Sequence, residues 1–75
     1  MNNYDLLVSL LKEKVKNTDK ITLEASMNDL GIDSLDLVDV VLQAETELGV
    51  TFEDDELLDL HIVKDVVDLL DRKSK

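Results

Sequence analysis

The chain has 75 residues, the length of one small domain spanning residues 1–75, and it contains no cysteine, which excludes disulfides and thiolate metal sites. Hydrophobic residues make up 44% of it but aromatic residues only 3%, so we predict a core of leucine, valine and isoleucine. The net charge of −10 disfavours nucleic acid as a partner. The sequence has no apolar run of about 18 residues and no secretory signal pattern, so we expect a cytoplasmic protein that does not insert into membranes.

Apolar residues recur at helical spacing from the N-terminus onward. The first helix is predicted over residues 3–16, with Asn2 or Asn3 as its cap. The connector over residues 21–33 is long for a loop, and its apolar residues predict that it lies against the core. These apolar residues are Ile21, Leu23, Met27, Leu30 and Ile32.

Three more helices are predicted in the second half of the chain. The second runs from Ser34 to Leu48, with Gly49 as its stop signal. The third is short and covers residues 54–60, and the fourth covers residues 63–73. Short links between helices favour antiparallel neighbours. The predicted fold is therefore all-α, a small antiparallel four-helix bundle with three longer helices and one short third helix.

The second helix has more apolar surface than one buried face requires. At about 100° per residue, its core stripe comprises Leu37, Val40, Val41, Ala44 and Leu48. Leu35, Val38 and Leu42 form a second strip that begins beside Ser34. An exposed apolar strip rimmed by carboxylates is typical of a docking surface. The alternative is that neighbouring helices cover both sides.

Acidic residues dominate the middle of the chain. No lysine or arginine occurs between Lys20 and Lys64, an interval with twelve carboxylates: Glu24, Asp29, Asp33, Asp36, Asp39, Glu45, Glu47, Glu53, Asp54, Asp55, Glu56 and Asp59. Such a field attracts basic protein surfaces, although solubility alone is the alternative explanation. Because like charges repel, we expect Asp36→Lys or Glu45→Lys to raise the folded stability slightly.

Ser34 is the candidate functional residue. It lies between Asp33 and Asp36, just after Gly31, at the predicted start of a helix whose backbone N–H groups favour an attached anion. The alternative is that Asp-Ser-Leu simply caps the helix. His61 is the only imidazole and no base lies near Ser34 in sequence, so catalysis by this chain is not expected. Residues 53–56 do not match a calcium-binding loop, and no metal site is predicted.

Two consecutive stretches of the chain carry a family resemblance. The first is the run Leu30-Gly31-Ile32-Asp33-Ser34-Leu35-Asp36, and the second is an acidic and apolar helix that closes with Glu45-Thr46-Glu47-Leu48-Gly49-Val50. Together they resemble the acyl carrier protein family. The resemblance covers nearly the whole chain. It implies a four-helix bundle that carries 4'-phosphopantetheine, donated by CoA, covalently on Ser34, with Asp33 and Leu35 completing the Asp-Ser-Leu motif. It also implies a monomeric, non-catalytic carrier that holds acyl groups as thioesters.

The resemblance further implies a set of partners with basic surfaces. They are the holo-carrier-protein synthase (a phosphopantetheinyl transferase), ketosynthases, reductases, dehydratases and acyltransferases. The recognition helix matches Leu35, Asp36, Val38, Asp39, Leu42 and Glu45. We expect the aliphatic core to open for the carried chain, with lining residues Val40, Val41, Ala44, Leu57, Leu60, Ile62 and Val67.

Two questions remain open at the level of sequence. The acidic residues on both sides of Ser34 favour fatty acid biosynthesis, and a specialised carrier for polyketide or other acyl transfer is the alternative pathway. A different class of protein also fits the charge field, namely an acidic interaction module that mimics nucleic acid or inhibits a basic enzyme. Such a module would not need an accessible Ser34 at the start of a helix.

Overall fold

The computed structural model describes residues 2–74, so Met1 and Lys75, the ends of the predicted 1–75 domain, lie outside the described residues. In this range the chain forms four α-helices: α1 (Asn3–Leu11), α2 (Ser34–Leu48), α3 (Asp54–Leu58) and α4 (Val63–Lys73). A 3₁₀ turn, Thr18–Lys20, lies between α1 and α2. The predicted all-α fold with a short third helix is confirmed.

The core is aliphatic, as the composition predicts. Leu7 and Leu11 of α1 and Leu69 and Leu70 of α4 are completely buried, and α1 packs against both α2 and α4. The core stripe of α2 is also confirmed. Its members Val40, Val41 and Ala44 are buried, while Leu37 and Leu48 are partly buried against the core. Among residues 2–74, no helix is both long enough and apolar enough to cross a bilayer.

Two helices end earlier than the sequence predicts. α1 stops at Leu11 rather than at residue 16, and α3 stops at Leu58 rather than at residue 60. In both cases the apolar residue that continues the helical spacing is still buried, but from a turn or link. Val15 follows the turn over residues 12–14 and is 7% exposed, and Leu60 is 8% exposed. Periodicity therefore identified the buried residues correctly but could not tell a helix from a turn that follows it.

The connector over residues 21–33 lies against the core through four of its five apolar residues. Ile21, Met27, Leu30 and Ile32 are buried, whereas Leu23 is 37% exposed, so the prediction for Leu23 is wrong. The physical reason lies in the backbone, because the carbonyl of Leu23 accepts a hydrogen bond from the amide of Lys64 at 2.8 Å. The connector uses that position to cap α4 rather than to fill the core.

This cap is part of a larger junction between the connector and the start of α4. The amide of Val63 donates to the carbonyl of Ala25 at 2.9 Å, and the amide of Met27 donates to the carbonyl of His61 at 3.0 Å. Ser26 and Ile62 form an isolated antiparallel bridge there. The first amides of a helix have no partner inside it, so the connector satisfies two of them and ties the chain before α2 to α4.

Candidate functional site

Ser34 is the first residue of α2, and its side chain is exposed. The residue before it, Asp33, is the N-cap, because its Oδ1 accepts a hydrogen bond from the amide of Asp36 at 2.9 Å. The helix cap is therefore supplied by Asp33, and the hydroxyl of Ser34 is not needed for it. The Asp-Ser-Leu motif does cap the helix, as the alternative predicts, but it does so through Asp33. Ser34 lies at a helix start where backbone amides favour an anion, and it is not the capping group.

The turn that leads to Ser34 is built around Gly31. Gly31 has φ +78°, a left-handed conformation that glycine adopts without strain. Its amide donates to the carbonyl of Asn28 at 3.0 Å, and the amide of Ile32 donates to the carbonyl of Met27 at 2.9 Å, which together form a Schellman motif. Ile32 is 3% exposed. The turn thus anchors the chain in the core two residues before Ser34.

Two clefts border Ser34. One is apolar, has a volume of about 280 Å³, and lies between α2 and α3; it is lined by Ser34, Leu37, Val38, Val41, Leu57, Leu58 and Leu60. The other has a volume of about 410 Å³ and extends along the connector towards polar side chains, Ser26, Asn28 and His61 among them. A group attached to Ser34 could therefore enter either the apolar cleft or the more polar one.

The predicted pocket residues divide into two sets in this structure. Val41, Leu57 and Leu60 line the apolar cleft. Val40, Ala44 and Val67 lie in the buried core, and Ile62 is half-buried at the start of α4. Only the first set is close to the surface beside Ser34, so a chain that reached the second set would have to open the core.

The second strip of α2 is exposed. Leu35, Val38 and Leu42 are 80%, 41% and 53% exposed, so the alternative that neighbouring helices cover both sides of α2 is wrong. We call these three residues the docking strip. Leu58 of α3 is 75% exposed and lines the apolar cleft together with Val38. Leu58 was not predicted from the sequence, because no periodic partner in so short a helix marks it as exposed.

A lysine lies against the predicted recognition carboxylates of α2. The Nζ of Lys14 is 2.8 Å from Oδ2 of Asp39 and 3.6 Å from Oδ1 of Asp36. The hydrogen bond and charge of Lys14 hold the pKa of Asp39 below its usual value, and the same contact with Asp39 raises the pKa of Lys14. We therefore do not expect Asp36→Lys to raise the folded stability, because it would place a second ammonium beside that of Lys14.

Glu45 also has an internal partner. Its Oε2 accepts a hydrogen bond from the backbone amide of Phe52 at 2.7 Å, which ties the last turns of α2 to the link before α3. Phe52 is itself buried. Glu45→Lys would break this bond, so we no longer expect that change to raise the folded stability. Of the carboxylates on α2, Asp39 and Glu47 are exposed, whereas Asp36 and Glu45 are half-buried.

His61 serves the fold through its backbone. Its amide and that of Ile62 donate to Oδ2 of Asp65 at 3.0 and 3.1 Å, and these two hydrogen bonds hold the pKa of Asp65 below its usual value. Across residues 2–74, no group of three or more metal-ligating side chains is placed to hold an ion.

Residues 5–70 match the family of phosphopantetheine attachment sites. The chain is 43% identical over 70 residues to the acyl carrier protein of Coprothermobacter proteolyticus, a match covering 91% of this chain and 85% of that protein. It is 43% identical over 75 residues to the acyl carrier protein of Petrotoga mobilis, covering 92% and 88%. A crystal structure of an acyl carrier protein from Thermotoga maritima matches with a TM-score of 0.83 and 31% identity, covering 97% of this chain and 91% of that one.

Proposed function

We propose that this chain, which belongs to the acyl carrier protein family, carries acyl groups as thioesters on a 4'-phosphopantetheine arm attached to Ser34. The family consists of carriers rather than catalysts, and its cofactor is phosphopantetheine. The observation that carries the assignment to Ser34 is its exposed side chain at the start of α2, where Asp33 already supplies the cap.

Attachment requires an accessible hydroxyl and a donor of the arm. The Oγ of Ser34 forms a phosphodiester bond to the phosphorus that bears pantetheine in CoA, and the bond from that phosphorus to adenosine 3',5'-bisphosphate breaks. The hydroxyl proton passes to a base of the transferase. No histidine or lysine is adjacent to Ser34 in the sequence, and His61 lines the polar cleft that borders Ser34. The amides at the start of α2 favour the phosphate that remains there.

We propose that partner enzymes with basic surfaces bind over the docking strip. Leu35, Val38 and Leu42 supply exposed apolar area, and the surrounding carboxylates supply attraction at long range. The partners in this proposal are the holo-carrier-protein synthase, ketosynthases, reductases, dehydratases and acyltransferases.

We propose fatty acid biosynthesis as the pathway, with Asp33 and Asp36 on either side of Ser34 as support. A specialised carrier for polyketide or other acyl transfer is the competing assignment within the family. The chain without cysteine fits a reducing compartment, and we propose a monomeric domain over residues 1–75 that works in the cytoplasm.

The test of the attachment site is intact mass after incubation with holo-carrier-protein synthase and CoA. We expect the wild-type chain to gain one phosphopantetheine group and Ser34→Ala to gain none. Ser34→Ala should change the free energy of unfolding by less than about 0.5 kcal/mol, because Asp33 is the cap. An adduct on Ser9, Ser26 or Ser74 would contradict the site. A chain that stays unmodified would contradict the carrier function and favour an acidic interaction module.

A further inference from the structure

Lys14 is held at one edge of the docking strip by contacts within the chain. It lies in the turn after α1, where its amide donates to the carbonyl of Leu11 at 2.9 Å, and the next residue, Val15, is buried. The Lys14 side chain is 20% exposed, less than the 40% and 54% of Asp36 and Asp39. The ammonium is therefore packed against α2 rather than extended into water.

This contact makes the two edges of the docking strip electrostatically different. On a helical projection Asp36 and Asp39 lie along one edge of the strip, and a single ammonium serves both of them. The opposite edge adjoins α3, where Asp54, Asp55 and the C-cap residue Asp59 are exposed. Among the carboxylates of α3 (Asp54–Leu58), Glu56 forms an ion pair with Lys73 at 2.8 Å, and the others form none within residues 2–74. Within residues 2–74, the exposed carboxylates of the α3 edge are therefore not offset by an ion pair, whereas the charge of Asp36 and Asp39 is partly offset. The exposed Glu47 lies near the C-terminal end of α2, away from Ser34.

We propose that Lys14 is a specificity-determining residue for partner docking, because its single ammonium offsets one of the two negative charges at the edge of Asp36 and Asp39 and so directs basic partners to the α3 edge. This proposal rests on the proposed carrier function. A partner gains Asp36 and Asp39 only by displacing the ammonium. A guanidinium can contact two carboxylate groups at once, so an arginine on the partner displaces Lys14 more readily than a lysine does.

The first test compares Lys14→Gln with Lys16→Gln. Both changes move the net charge by one unit, but Lys16 is exposed and, within the described residues, takes part in no ion pair. We would measure kcat/KM for modification of Ser34 by holo-carrier-protein synthase and CoA at low ionic strength. We expect Lys14→Gln to exceed Lys16→Gln by about threefold, the effect of one unit charge acting through water over about 7 Å. The difference should shrink with added salt.

The second test asks whether Lys14 acts through Asp39. In the wild-type background Asp39→Asn should slow modification less than it does in the Lys14→Gln background, since a wild-type partner gains Asp39 only by displacing the Lys14 ammonium. In the Lys14→Gln background the same change should slow modification by about threefold. The carboxyl carbon of Asp39, followed by NMR, should titrate at higher pH in Lys14→Gln than in the wild type.

The possible outcomes separate the two proposals. Equal rates for Lys14→Gln and Lys16→Gln, or the same effect of Asp39→Asn in both backgrounds, would overturn the role of Lys14 and leave the carrier function intact. A wild-type chain that gains no phosphopantetheine would overturn both. Circular dichroism of each variant checks that a change in rate does not come from lost helix.

Discussion

α3 and α4 are neighbours in the chain, but the fold holds them in very different ways. α4 buries five side chains, Val63, Val66, Val67, Leu69 and Leu70. Carbonyl groups of the connector accept hydrogen bonds from the amides at the start of α4. α3 has five residues and buries none of them, and its Leu58 is 75% exposed. The core therefore depends on α1, α4 and the buried face of α2. The exposed surface of α2 and α3 beside Ser34 can change in shape or bind a partner at little cost in stability.

The largest expected difference between the two helices is in the free energy of unfolding when one leucine in each is truncated. Leu69→Ala removes a completely buried side chain and should cost about 2–5 kcal/mol, whereas Leu58→Ala should stay within about 0.5 kcal/mol because its side chain is exposed. Urea denaturation followed by circular dichroism measures both. Similar losses in the two variants would show that α3 supports the core as strongly as α4 does.

A carried acyl chain that enters the cleft between α2 and α3 should raise the stability of the folded protein. Entry between α2 and α3 would bury methylene groups against Val41, Leu57 and Leu60, which line the apolar cleft. Each buried CH₂ contributes about 0.8 kcal/mol, and binding to the folded state alone raises stability, so the melting temperature should rise with chain length. The reference is the protein with unacylated phosphopantetheine. An unchanged melting temperature with a medium-length chain would mean that the chain stays outside.

Acid should weaken the attachment of α4 through Asp65. Asp65→Ala removes the acceptor of the amides of His61 and Ile62 and should cost about 1.5 kcal/mol near neutral pH. The folded-state pKa of Asp65 is lowered, so its contribution is complete above the ordinary pKa of an aspartate and is lost as the pH falls through the lowered value.

The difference in the free energy of unfolding between the wild type and Asp65→Ala should therefore shrink on acidification. Asp68→Ala is the control, because its carboxylate is 55% exposed and makes only a 3.3 Å contact with Lys64. A difference that stays constant with pH would contradict the role of the Asp65 carboxylate.

The smallest expected effect compares the two glycines. Gly31 and Gly49 have φ values of +78° and +67°, and a methyl group added at either Cα would have no neighbouring atom within 4 Å. An alanine at either position meets only backbone strain, which should cost about 1 kcal/mol. Modification of Ser34 should slow in Gly31→Ala and not in Gly49→Ala, as Gly31 is part of the turn before Ser34. Equal rates in the two variants would show that the turn does not position Ser34.

Local signals in the sequence were sufficient to locate α2 and its exposed strip. Asp33 caps the start of the helix and Gly49 adopts the left-handed conformation that ends it, so the observed bounds Ser34–Leu48 agree with the prediction. Helical spacing also placed Leu35, Val38 and Leu42 on one strip, whose exposure the structure then established. Both features depend on residues that are close together in the chain.

Contacts between distant residues could not be predicted in this way. The approach of Lys14 to Asp39 depends on how α1 packs against α2, and the gap in basic residues between Lys20 and Lys64 gave no sign of it. The end of α1 was misplaced because residues 12–16 contain no glycine or proline to mark a turn. The exposure of Leu23 likewise depends on the pairing of its carbonyl with the start of α4 rather than on its neighbours in sequence.

The junction between the connector and α4 provides built-in reporters for hydrogen exchange. The amides of Met27, Val63 and Lys64 are bonded to carbonyls that are distant in sequence, so they become available to exchange with solvent only when the two segments separate. We expect these amides to exchange through opening of the whole domain, while amides of α3 exchange through local fraying. One hydrogen–deuterium exchange experiment on the same sample would therefore measure both the free energy of global opening, from the junction amides, and that of local opening beside Ser34, from the α3 amides.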